Sequence, residues 1–198
     1  MKLVYIKESK SAGYTVLGID LGEGAKPYTV PLAIYAEIGA PVRGAEISDG
    51  DFLGVAYADE VYRATKKALS LLAYADNNIK NLKLKLIRAG FSRDAADAAS
   101  EEMQRNGYIN EARQLERLIL SEANSNLKGR ALIVPKLVSK GYKKDEVEAV
   151  LDALLESGEI DFAEIKERLI SKKLGESADS EAVKKLLYKN GFNRSDQP

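Results

Sequence analysis

Two spacings of apolar positions divide the chain. Up to residue 31 the apolar and β-branched residues come in short runs separated by turn formers. Residues 3–7 form one run, Ser9-Lys10-Ser11-Ala12-Gly13 a break, and YTVLGIDL over 14–21 a second run. Gly22-Glu23-Gly24 marks another turn, and 28–30 a third run. Runs of this kind between Gly- and Ser-rich breaks predict short strands. Residues 32–38 read as a short helix stopped by Gly39 and Pro41. Ser48 or Asp49 is placed to cap a helix beginning near Asp51. From about residue 59 the spacing changes to threes and fours. Val61, Ala64, Ala68, Leu69 and Leu72 share one helical face.

The helical part repeats. KLIRAGF ends at Phe91, KLVSKGY at Tyr142 and LLYKNGF at Phe192, so Gly90, Gly141 and Gly191 stand 51 and 50 residues apart. Gly107-Tyr108-Ile109-Asn110 and Gly158-Glu159-Ile160-Asp161 are again 51 apart. With these offsets the apolar positions align: Ala64, Leu115 and Ile165; Ala68, Ile119 and Leu169; Leu82, Ile133 and Val183; Leu86, Leu137 and Leu187; Ala96 and Val147; Met103 and Leu154. Their internal spacings suit helices, not strands. Each copy therefore reads as a long helix, a second ending at Gly-aromatic, and a third ending at Gly107 or Gly158, glycine being the expected stop after a last apolar turn. The fold expected is mainly α: tandem three-helix repeats forming an elongated, curved body, since each copy touches mainly its neighbours. A small N-terminal α+β module precedes them. The expected divisions are 1–60, 61–109, 110–160 and 161–198. The last copy reads as incomplete, with only residues 193–198 after Phe192.

Composition removes whole classes of chemistry. The 198 residues contain no Cys and no His. Disulfides, thiolate or imidazole metal sites, cysteine nucleophiles and a Ser-His-Asp triad are excluded. No catalytic residue, metal site or cofactor is expected, and an enzyme is not. Thirty Lys and Arg balance thirty Asp and Glu, so the chain is not uniformly basic, although a local basic face remains open. No run of apolar residues is long enough to span a membrane. The start, Met1-Lys2-Leu3-Val4-Tyr5-Ile6-Lys7-Glu8, reads as a strand rather than a signal peptide. A cytoplasmic monomer is the expectation.

Among motifs, GIDLG at residues 18–22 is similar to the phosphate-binding hairpin of Hsp70- and actin-like ATPases, where turn amides cradle phosphate. Such enzymes need two large lobes, and Glu23 brings negative charge, so an ordinary hairpin is favoured. There is no P-loop. Phe91, Tyr142 and Phe192 recur with the repeat and read as core plugs rather than base-stacking platforms. The basic residues are the stronger lead. Lys80, Lys83, Lys85 and Arg88 crowd one helix, and Arg113, Arg117, Lys128, Arg130 and Lys140 follow in the second copy. Singly, each reads as a solvated helix face with i,i+4 partners. Together they suit a polyanion or an acidic protein groove.

The motifs resemble those of the RecX family, regulators of the RecA recombinase. The resemblance covers most of the chain and is most specific over residues 61–192. It rests on Ala68-Leu69-Ser70-Leu71-Leu72, on Leu82-Lys83-Leu84-Lys85-Leu86 followed by Gly90-Phe91, and on the junction Gly107-Tyr108-Ile109-Asn110-Glu111. It rests also on Lys128-Gly129, Ile133, Lys136-Leu137 and Lys140-Gly141, and on the turn Ile38-Gly39-Ala40-Pro41-Val42-Arg43-Gly44. The chain departs from the family in having Asn81 and Lys136 where Glu is usual, and Val134-Pro135 where Arg and Gln are common. The resemblance implies a non-enzymatic protein of DNA recombination, repair and the SOS response. Its implied partner is the RecA filament on single-stranded DNA, and its implied effect is inhibition. The contact residues expected on that reading are the basic ones, Lys80, Lys83, Lys85, Arg88, Arg113, Arg117, Lys128, Arg130 and Lys140. The alternative from the residues alone is a stacked-helix module that binds nucleic acid directly, without RecA.

Overall fold

The computed structural model describes residues 1–175 and 179–193. Three strands open the chain, β1 (Lys2–Glu8), β2 (Tyr14–Asp20) and β3 (Ala25–Pro31), and form an antiparallel sheet in the order β1-β2-β3. Alternation along β2 turns Thr15, Leu17 and Ile19 inward. Leu17 and Ile19 meet Leu3, Val30, Ile47 and Val55 in the first core. The register of β1 slips between Leu3 and Tyr5, a bulge of the kind that re-aims side chains. It lays the Tyr5 ring over Gly18, where an added Cβ would lie 2.2 Å from the Tyr5 Cε1. The GIDLG hairpin is closed by its own aspartate: Asp20 Oδ1 accepts the N–H of Gly22 at 2.8 Å and of Gly24 at 3.0 Å. The amides that could cradle a phosphate are thus already taken.

Two helices follow the sheet, α1 (Leu32–Glu37) and α2 (Asp49–Tyr74). Ser48 caps α2 by accepting the Asp51 N–H at 3.1 Å, which satisfies one of the free amides of the first turn. α2 runs unbroken through residue 60 and serves two cores. Its first half gives Val55 to the sheet, and its second half gives Ala64 and Ala68 to a helical core with Leu82, Leu86, Ala95, Ala96, Ala99, Met103 and Ile109. Between these halves, buried Asp59 accepts the Thr29 N–H and the Arg63 Nε, both at 2.8 Å. Glu60 accepts the backbone N–H of Ser92 at 2.7 Å and its hydroxyl at 2.9 Å. This fixes α2 to the start of α4 (Arg93–Arg105), with α3 (Ile79–Arg88) completing the trio. Residues 1–109 make one compact unit.

The second unit begins at Asn110. α5 (Glu111–Leu120) continues into a π-helical turn, Ser121–Ser125, in which the Asn126 N–H reaches the Ser121 carbonyl at 3.1 Å. Then come α6 (Arg130–Ser139), α7 (Lys144–Glu156), α8 (Phe162–Leu174) and α9 (Ser180–Lys189). Most of the aligned positions are buried: Leu115, Ile119, Ile133, Leu137, Val147, Leu154, Ile165 and Leu169 share one core, with Leu187 of α9 half-buried against it and Val183 half-buried. The three-helix pattern expected from spacing is the observed fold. α3, α6 and α9 each run 10 residues, and α4 and α7 each run 13. α6 remains a helix across Pro135, whose missing N–H leaves one carbonyl of the preceding turn without its usual donor.

The Gly-aromatic strings end their helices identically. The N–H groups of Phe91, Tyr142 and Phe192 donate to the carbonyls of Leu86, Leu137 and Leu187 at 3.3, 3.3 and 3.0 Å. One residue earlier, Gly90, Gly141 and Gly191 donate to Ile87, Val138 and Tyr188 at 3.0, 2.9 and 3.0 Å. This paired closure requires a left-handed residue at the glycine, and φ there is 95°, 103° and 85°. Tyr142 and Phe192 are buried and Phe91 half-buried, so the recurring aromatics pack inward. Among the described residues no helix is long and apolar enough to cross a membrane.

Candidate interaction surfaces

The basic residues singled out by sequence fall on three elements. On α3, Leu82 and Leu86 face the core, which turns the opposite face outward. That outer face carries Lys80 and Arg88, with Leu84 (43% exposed) and Ile87 (40%) between them. Lys83 and Lys85 flank this face and bend back to the protein. Lys83 Nζ pairs with Asp97 Oδ1 on α4 at 3.1 Å, and Lys85 Nζ bonds Asn77 Oδ1 at the α2–α3 connection. Lys83 is thus partly compensated by a carboxylate, and Lys85 is held by a neutral amide oxygen. Lys80 and Arg88 have no ion-pair partner among the described residues. α3 thus presents two cations framing two exposed aliphatic side chains.

On α5, Arg113 and Arg117 stand one turn apart on the solvent face. They line a shallow cleft with Asn110, Ala112, Glu116 and Leu120. Asn110 caps this helix, its Oδ1 accepting the Arg113 N–H at 3.0 Å. The cleft is open and mixed in charge. It suits a contact surface better than a pocket for a small molecule.

The third place is the start of α6, and here the basic residues serve the fold. Arg130 pairs with Asp152 on α7. Lys128 Nζ donates to Asn190 Oδ1 at 2.8 Å. The Gly129 N–H donates to the Asn190 carbonyl at 2.8 Å, and the Ala131 N–H to the Gly191 carbonyl at 3.1 Å. The free amides at the start of α6 thus donate to the free carbonyls at the end of α9, which satisfies both ends and aligns opposite partial charges. Lys128-Gly129 is a docking device. A Cβ on Gly129 would lie 2.3 Å from the Gly191 carbonyl oxygen. Lys140 caps the far end of α6, exposed. One further compensated charge lies nearby: buried Glu122, in the π-helical turn, receives Lys136 Nζ at 2.7 Å. The lysine standing where the family has Glu therefore has an acid of its own.

Spacing and motif did not single out the outer face of α9, which carries Lys184, Lys185, Tyr188 and Lys189. Tyr188 is 77% exposed. The signal available was the string KKLLYK itself, in which the repeat assigns Leu187 to the core and three lysines and a tyrosine surround the two leucines.

No protein-family model matches the chain. Individual proteins do. Regulatory protein RecX of Caldanaerobacter subterraneus subsp. tengcongensis is 27% identical over 187 residues, spanning 94% of this chain and 91% of that one. Regulatory protein RecX of Stenotrophomonas maltophilia is 27% identical over 133 residues, 65% of this chain and 78% of that one. A crystal structure of regulatory protein RecX superposes with a TM-score of 0.73 over 98% of this chain and 96% of its own, at 19% identity. The chain resembles regulatory protein RecX along nearly its whole length. The RecX-like motifs quoted above now have a physical reading. Gly90-Phe91 and Gly107-Tyr108 close helices, and Lys128-Gly129 seats α9 on α6. These motif residues carry the fold.

Proposed function

We propose that this chain is a non-enzymatic regulator that binds the filament RecA forms on single-stranded DNA and restrains its recombinase activity. The observation that carries this reading is the similarity to regulatory protein RecX along nearly the whole chain, in sequence and in fold. The residues supply a means. Cations presented on successive helical copies suit the groove of a nucleoprotein filament, where acidic protein and phosphate lie together. The copies are 61–109, 110–160 and 161–198, with 1–60 as an N-terminal module, and the protein acts as a cytoplasmic monomer. Binding one filament state more tightly than another shifts the filament equilibrium by mass action, with no chemical step. Lys80 and Arg88 are the first contacts to test, because Lys83 and Lys85 have intramolecular partners whose loss would confuse the result.

The test is light scattering and pull-down with the RecA of its own organism, with and without single-stranded DNA and ATP, at two salt concentrations. Binding that needs the assembled filament, with loss of RecA ATPase or strand exchange, is expected. The Lys80→Glu/Arg88→Glu double variant should bind the filament about ten-fold more weakly while melting as the wild type does. Full inhibition by that variant removes α3 from the interface. A wild type that ignores the filament and binds bare DNA, losing it in high salt, overturns the regulator reading.

A further inference from the structure

α9 presents a face with no structural task. Leu186 and Leu187 pack against the core of the second unit. At about 100° per residue the opposite arc holds Lys184, Tyr188, Lys185 and Lys189 in that angular order, spread over roughly 140°. All four are exposed, and Glu181 in the first turn is the one acid among them. Among the described residues none of the three lysines has an ion-pair partner. Tyr188, at 77% exposure, adds little to folding, since an aromatic ring stabilises chiefly through the area it buries.

The platform is held firmly. The end of α9 is tied to α6 through Gly129, Ala131 and Lys128, as described above. Asn190 Nδ2 also closes on the Leu186 carbonyl at 2.8 Å. The Phe192 ring stands edge-on to Phe162 with centroids 5.6 Å apart. A ring exposed on an anchored helix, with cations on both sides, has the chemistry of single-strand recognition: bases stack on the aromatic and phosphates meet the lysines. A duplex offers no unstacked base to such a ring, and an acidic peptide would use the lysines but has no base to stack on the ring.

We propose that the Lys184, Lys185, Tyr188 and Lys189 face of α9 is a contact site for single-stranded nucleic acid. Tyr188 stacks on an unpaired base, and the lysines neutralise the phosphates on either side. The inference needs no RecA and stands apart from the filament reading.

The experiment is fluorescence anisotropy of a labelled oligothymidylate titrated with the full chain, without RecA, over a range of salt. Tyr188→Ala should weaken binding about ten-fold at fixed salt and leave the salt dependence unchanged. Tyr188→Phe should bind as the wild type does. The triple variant Lys184→Gln/Lys185→Gln/Lys189→Gln should flatten the slope of log K against log salt by about 2, at roughly 0.7 per phosphate contact. Circular dichroism melts check that each variant is folded. The proposal fails if the wild type does not bind the oligonucleotide at low salt, or if Tyr188→Ala binds it unchanged. It fails too if polyglutamate competes as well as the oligonucleotide does, which would make the face a site for acidic protein. None of these failures touches the filament assay, which reads binding to assembled RecA.

Discussion

Tyr14 sits where β2 meets α2. Its ring packs at a tilt on Tyr62, with centroids 5.0 Å apart. Burial, then the Glu102 carboxylate, then Tyr62 push its phenol above the ordinary 10.0. The folded chain therefore holds this proton more tightly than the unfolded chain does. The resulting stabilisation is whole below pH 10.0 and is lost as pH rises through the higher folded value. Urea midpoints measured against pH should show this. Tyr14→Phe should match the wild type to within about 1 kcal/mol near neutrality and lose less stability above pH 10, whereas parallel decline of the two would remove Tyr14 from the account. Nothing along the sequence announces this contact, because Tyr14, Tyr62 and Glu102 lie on three elements whose packing no spacing encodes. The basic residues illustrate the same limit. Their number and helices were legible, but Lys83, Lys85, Lys128 and Arg130 find partners on other elements, and a long side chain's partner is a matter of tertiary placement.

Elements were more legible, because a helix states its inner face in its own period and here states it repeatedly. Ala64, Leu115 and Ile165 could be aligned and found buried without any long-range information. What the repeat did not reveal is how one helix end meets another. The glycines separate the two causes. At Gly90, φ is 95° and no atom lies within 4 Å of an added Cβ, so Gly90→Ala should cost about 1–2 kcal/mol for the left-handed backbone alone. At Gly129, φ is −88°, which any residue adopts, so Gly129→Ala should cost about 1–3 kcal/mol from the clash with Gly191 alone. Gly191→Ala combines both penalties, since φ is 85° and Leu132 Cγ lies 2.8 Å from the added atom. Chemical denaturation should rank it the most destabilising of the three. A Gly129→Ala protein as stable as the wild type would mean that α9 is not seated on α6 in solution.

At the scale of the molecule, α2 is the feature with the widest reach. Its 26 residues extend about 39 Å at 1.5 Å each. Val55 belongs to the sheet, Ala64 and Ala68 to the first helical trio, and Asp59 and Glu60 to the joints between them. A fragment begun at residue 61 would lose the Ser48 cap, the Asp59 bond to β3 and the Glu60 bonds to Ser92. It should melt well below one begun at residue 48, and comparable melting of the two would show that the joints contribute little. The same helix ties local fraying to collective loss, so amides near its middle should exchange with solvent only when sheet and trio open together. A protease that gained a foothold in the β-hairpins would then be undoing the first helical copy as well, and the intactness of the N-terminal strands becomes a remote gauge of the outer surface of α3.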